Sequence, residues 1–125
     1  METNQEAIAA ITTMLNSYFN GIYEGDVVLL GGTFNPGTLL FGDVNGQPYA
    51  RILDQYLDGV KNRQSPKESG KPFKGEIISI DVIHSIAMAK VRVKMYDFNY
   101  HEFLSFHKLD GHWLIVNKMI THVNE

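Results

Sequence analysis

Apolar residues at Ile8, Ile11, Leu15, Tyr18 and Ile22 recur every three or four positions, which is one face of a 3.6-residue period and predicts a helix near the start of the chain. Thr3 or Asn4 can cap it, Glu6 lies in its first turn, and Gly25 marks its end. Asp26 opens a short second helix through Val27, Val28, Leu29 and Leu30, which Gly31-Gly32 closes. Thr38 to Phe41 reads as a short strand. Asn45-Gly46, where both positions tolerate positive φ, turns it into a return strand through Pro48-Tyr49, and the proline marks an edge. Ile52, Leu53, Tyr56, Leu57 and Val60 form the apolar face of a third helix, with Arg51, Asp54, Asp58 and Lys61 on its wet side.

After Gln64 to Pro72, a polar stretch read as a surface loop, the period changes from 3.6 to two. Four strands follow, at Glu76 to His84, Ile86 to Tyr96, Asn99 to Leu109 and His112 to His122, the last two joined by an Asp110-Gly111 turn. In the second, Ala87, Ala89, Val91, Val93 and Met95 share one face, while Lys90, Arg92 and Lys94 lie on the other as a solvated basic strip. Consecutive hairpins predict an antiparallel sheet, so the fold class is α+β, with three N-terminal helices covering one sheet face.

The chain has 125 residues, enough for one domain spanning 1–125. Eleven Lys and Arg against 14 Asp and Glu give a net charge of −3, which argues against a protein held to nucleic acid by phosphate neutralisation. No apolar run approaches the ~18 residues a membrane helix requires. The acidic start, Glu2 to Glu6, lacks the pattern of a secretory leader, so a cytoplasmic location is expected. Having no cysteine, the chain forms no disulfide, thiolate metal site or thiol nucleophile. There is no glycine-rich phosphate loop, Gly-x-Ser-x-Gly elbow or His-Glu-x-x-His cluster. His101 and His107, six residues apart on one strand, are separated by ~20 Å and cannot share a metal ion. No cofactor and no metal are expected.

The order helix-helix-hairpin-helix before a long meander resembles the nuclear transport factor 2-like, or cystatin-like, α+β cone. Tyr18-Phe19-Asn20-Gly21-Ile22-Tyr23-Glu24-Gly25-Asp26 is similar to that superfamily's first-helix ending, and Phe34-Asn35-Pro36-Gly37-Thr38-Leu39 to its entry into the first strand. Leu104 to Lys118, LSFHKLDGHWLIVNK, resembles the ending of the branch called putative lumazine-binding, grouped here with SnoaL-like proteins. The resemblance implies a strongly curved sheet closing with the helices around an internal pocket.

Two faces of the Asn99 to Leu109 strand compete to line that pocket. One carries Asn99, His101, Phe103, Ser105 and His107; the other carries Phe98, Tyr100, Glu102, Leu104 and Phe106. Periodicity does not choose between them. Resemblance to the ketosteroid isomerases of this fold places their helix tyrosine at Tyr18, their oxyanion-holding aspartate near Ser105 with a pocket neighbour near His107, and their general-base aspartate near Phe41. Both carboxylates are then missing, which argues against isomerisation by that mechanism. The expected ligand-binding set is Tyr18, Phe41, His101, Phe103, Ser105, His107, Asn117 and Met119, with Tyr18 and His107 as catalytic candidates. Asn117 should pair across the last hairpin with Ser105, and Trp113 should be structural.

Three functions are compatible with this reading. They are a binding domain for an apolar or aromatic small molecule, an isomerase, cyclase or dehydratase using Tyr18 and His107, and a dimeric protein-interaction adaptor. A homodimer through the outer sheet face is expected because Tyr96, Phe98, Tyr100 and Phe106 would otherwise form an exposed apolar patch.

Overall fold

The computed structural model describes residues 2–124. Helix α1 (Asn4–Glu24) starts with a capping box, in which the Thr3 side chain accepts from the Glu6 backbone N–H and Glu6 accepts from that of Thr3. It stops at Gly25, whose left-handed φ of 69° closes the helix. Asp26 caps α2 (Val27–Gly31), accepting from the Leu29 N–H at 3.0 Å. The edge hairpin β1 (Phe34–Val44) and β2 (Gln47–Ile52) precedes α3 (Leu53–Asn62). Then come α4 (Pro66–Ser69), β3 (Lys74–Ile83), β4 (Ile86–Met95), β5 (Phe98–Leu109) and β6 (His112–His122).

The architecture is α+β, with the helices packed on one face of an open six-stranded sheet of order β2-β1-β6-β5-β4-β3. Two features differ from the sequence reading. The sheet is mixed, because β1 runs parallel to β6 (Leu39 opposite Asn117, Phe41 opposite Met119) while every other pair is antiparallel. A hairpin-by-hairpin reading cannot detect this, since the β1–β6 pairing joins segments some 80 residues apart. The polar stretch 64–72 also contains the single turn α4, where Ser65 and Glu68 form another capping box and Ser65 and Pro66 are buried.

The core lies between the helices and the inner face of the sheet. Ile11, Leu15, Tyr18 and Ile22 of α1 meet Ala89, Val91 and Val93 of β4 and Leu104 and Phe106 of β5. Gly75 of β3 is required for this closeness, because a Cβ there would sit 2.4 Å from the Phe19 ring. Gly42 of β1 has a φ of 143°, and a Cβ would strike the Ile120 carbonyl of β6, so only glycine allows the parallel pairing at that point. Trp113 is buried, as expected, and its indole N–H donates to Glu2 Oε1 at 3.1 Å. Among the described residues no helix is long and apolar enough to cross a membrane.

Candidate functional site

The centre of this core is polar. Tyr18 projects from the buried stripe of α1, and its hydroxyl donates to Glu102 Oε1 of β5 at 2.5 Å. The other carboxylate oxygen of Glu102 lies 3.5 Å from Nζ of Lys118 on β6. Lys118 donates to the Tyr56 hydroxyl of α3 at 3.4 Å, and its ammonium lies 4.4 Å from the Tyr56 ring centroid and 5.3 Å from that of Tyr18. All four residues are buried, Tyr18 completely.

These surroundings set the charges. Burial, reinforced by the Glu102 charge, pushes the Tyr18 hydroxyl well above its ordinary pKa, so it stays a neutral donor. Burial is the strongest single influence on Lys118 and would pull it down, but the facing Glu102 carboxylate, together with Tyr56 and Tyr49, more than offsets it and the ammonium is held more firmly than usual. The arrangement presents an ammonium and phenolic hydroxyls within a low-dielectric interior, a donor set suited to a carbonyl or enolate oxygen. Among the described residues no group of His, Asp and Glu is arranged to hold a metal ion.

Of the residues expected to converge on one pocket, only Tyr18 belongs to this cluster. Phe41, His101, Phe103, Ser105, His107, Asn117 and Met119 lie on the opposite, outer face of the sheet. Phe41, Phe103 and Met119 are 40–48% exposed there, whereas Leu104 and Phe106 are buried inside. The expected convergence of Tyr18 with Ser105, His107 and Asn117 does not occur, and Tyr18 and His107 cannot meet the same ligand atom. The pairing of Ser105 with Asn117 is observed, but it falls on the outer face, where the Asn117 amide donates to the Leu39 carbonyl at 3.3 Å.

Glu102 stands on the β5 face that the resemblance led the reading away from. Its composition was the available signal: Phe98, Tyr100, Leu104 and Phe106 make that face the more apolar of the two. Lys118 was hidden differently. Ser105 pairs with Asn117, but Phe106 pairs with Ile115, so β6 carries one extra residue at Val116. The bulge reverses parity, so Trp113 and Ile115 point inward before it and Lys118 and Ile120 after it. Strict alternation from Trp113 therefore selects Asn117 and Met119 in error.

The outer face has its own hollows. One of about 510 Å³ is lined by Asp81, Ile83, Ile86, Met88, Ser105, His107 and Val116, among others. A smaller one, about 150 Å³, involves His101, Phe103, Met119 and Thr121. The basic strip of β4 lies on this face, with Lys90 5.7 Å from the Phe103 ring centroid and Arg92 paired to Glu76 at 3.0 Å. The aromatic patch expected here is not present as read, since Tyr100 and Phe106 are buried on the inner face.

The whole-chain fold matches several solved structures. A nuclear transport factor 2-like protein of unknown function from Shewanella baltica OS155 superposes with a TM-score of 0.87 at 22% identity, covering 100% of both chains. One from Silicibacter pomeroyi DSS-3 gives 0.87 at 23% identity over 98% of this chain and 100% of that one. One from Methylobacillus flagellatus KT gives 0.87 at 24% over 98% and 97%. No curated protein matches the sequence. The model of the family described as "Putative lumazine-binding" matches residues 6–121, so the chain belongs to that family, and its fold is the one seen in these nuclear transport factor 2-like proteins.

Proposed function

We propose that this domain binds a small molecule, apolar or aromatic in body with a polar edge, between the helices and the inner sheet face, over Tyr18, Glu102, Lys118 and Tyr56. The buried ion pair carries this reading. Well-packed apolar residues of the same volume are often as stabilising as such a pair or more so, so stability does not account for its place at the centre of the core. Groups of this kind, desolvated and held in fixed protonation states, are typical of binding and reaction sites. The family's name adds a ligand class, because lumazine is a flat heteroaromatic, and Tyr49, Tyr56 and Tyr100 offer aromatic surface on this side of the sheet. Joint action of Tyr18 and His107 is not part of this reading.

A screen of aromatic fragments that includes lumazine, read by NMR, tests it. Bound fragments should shift the Tyr56 and Tyr100 ring signals, and Tyr56→Phe should weaken their binding. Fragments that shift only Met88, Phe103 and Met119, or a screen with no fragment bound, would reject the reading.

We infer separately that a second copy of this chain covers the outer face. Leu39, Phe41, Met88, Phe103, Met119 and Ile86 are exposed there. Phe41, Met119 and Phe103 lie side by side in one cross-strand row, and Leu39, Asn117, Ser105 and Met88 in the next. Six strands ~4.8 Å apart and about four rows make a face on the order of 800 Å², the share of one partner in a standard interface. Such a face matches its own two-fold copy. Sedimentation at micromolar concentration should give a dimer that Phe103→Glu converts to monomer; a 14.1 kDa species in the unaltered protein would count against it.

A further inference from the structure

The inner cluster is closed on itself, with Glu102 meeting both Tyr18 and Lys118, and Lys118 meeting Tyr56. Arg63, just after α3, is hydrogen-bonded to the Tyr96 side chain but is not closed in this way. Its Nε and Nη2 atoms are buried and have no hydrogen-bond partner. These two nitrogens form one edge of the guanidinium, with their N–H bonds side by side. That edge fits the two oxygens of a carboxylate. Leaving such donors buried and unpaired is costly, and each instance in a native structure calls for an explanation.

The side chain is held in place. The guanidinium carbon lies 5.5 Å from the Tyr96 ring centroid. Tyr96 is itself fixed, because its hydroxyl donates to the Gln64 carbonyl and Asp97 beside it is bridged to Lys71 at 2.8 Å. Tyr96 and Asp97 form a turn with φ values of 53° and 68° and no glycine, a conformation that persists only where the surroundings impose it.

The neighbourhood suits an anion with an aromatic body. The Arg63 charge reaches the hydroxyls of Tyr49 and Tyr100. Tyr49 lies in the same cross-strand row as Ile120 and Glu102, so Arg63 overlooks the end of the core that holds the buried cluster. Arg51 stacks 4.8 Å from the Tyr49 ring centroid, adding a second cation, whereas the Glu102 charge is already met by Lys118.

We propose that Arg63 is the anion-recognition residue of this site, receiving the carboxylate of an aromatic acid through Nε and Nη2 while the ring lies against Tyr49 and Tyr100. The inference rests on the ligand occupying the inner side of the sheet. Benzoate and benzamide, nearly identical in shape and different in charge, test it on the full chain by NMR and calorimetry. Benzoate should shift the Arg63 Nε–H signal and bind at least about tenfold more tightly than benzamide. Arg63→Lys keeps the charge but loses the two-nitrogen edge. It and Arg63→Gln should each bring benzoate down to the benzamide level while leaving benzamide binding and the circular dichroism spectrum unchanged.

Equal affinity for the two probes overturns the proposal. So does an Arg63 Nε–H signal that benzoate leaves in place up to about 10 mM, well above a millimolar dissociation constant. If both probes shift Tyr49 and Tyr100 regardless of the residue at 63, the Arg63 assignment fails and the inner site stands. If neither probe shifts those rings, the inner site fails with it.

Discussion

Lys118→Met should lower the unfolding free energy by about 3–5 kcal/mol, the usual consequence of leaving one member of a buried ion pair without its partner. The substitution preserves most of the side-chain volume, so little of the loss arises from a cavity. It leaves the buried Glu102 carboxylate with the Tyr18 hydroxyl and without its cation. Removing both charges, as Lys118→Met with Glu102→Leu, should recover most of the loss, because the desolvation cost of the pair disappears with its attraction. Urea denaturation of the two single variants and the double variant measures this. A double variant no more stable than the worse single one would show that the pair is not a coupled unit.

The same groups set an alkaline limit. Lys118 and Tyr18 both have folded-state pKa values raised above their unfolded ones, so both keep their protons longer in the native protein. Their contribution to stability is complete below about pH 10, where the unfolded chain is also protonated, and is lost as pH rises above it. Tyr49, Tyr96 and Tyr100, raised chiefly by burial, act in the same direction. Lys118→Met should therefore flatten the high-pH part of the stability curve as well as lower the curve.

Trp113→Ala should cost about 3–5 kcal/mol, as truncation of a buried aromatic generally does. A domain of this size has on the order of 5–15 kcal/mol in total, so the variant should melt far below the parent. Trp113 sits near the β5–β6 turn, opposite Lys108, at the other end of β5 from Tyr100 and Glu102. Its indole N–H and the Lys108 ammonium share Glu2, tying the start of the chain to the sheet. Ligand affinity measured well below the melting temperature should therefore be nearly unchanged. A variant that melts like the parent, or that loses ligand before it loses stability, would contradict this placement.

The elements themselves were legible along the chain. The α1 stripe, its Thr3 cap and Gly25 stop, the Asp26 cap and the hairpin turns at Asn45-Gly46 and Asp110-Gly111 are all local chemistry. Each is decided within a few residues by periodicity, a side-chain oxygen beside an N–H, or a residue that tolerates positive φ. The turn placed Asn117 near Ser105, and the register beside it runs from Leu109 opposite His112 to Phe106 opposite Ile115; the exact pairing of Ser105 with Asn117 comes from the extra residue at Val116. The family's final motif, Leu104 to Lys118, identified the fold because it spans that hairpin.

What only the tertiary structure decided was which way those strands face. On β5 both faces mix polar and apolar residues, so the choice depended on which of them α1 covers. Burying Tyr100, Glu102, Leu104 and Phe106 in the core, where Tyr18 of α1 meets Glu102, turned His101, Ser105 and His107 outward. On β6 the extra residue at Val116 exchanged Asn117 for Lys118, and the bulge leaves no mark in a sequence that alternates on both sides of it. The parallel β1–β6 pairing that sets Leu40 beside Lys118 joins distant segments through Gly42. Side-chain direction has a period of two, so one inserted residue or one choice of covered face moves every candidate to the other side. That choice is fixed by burial against elements far away in the chain.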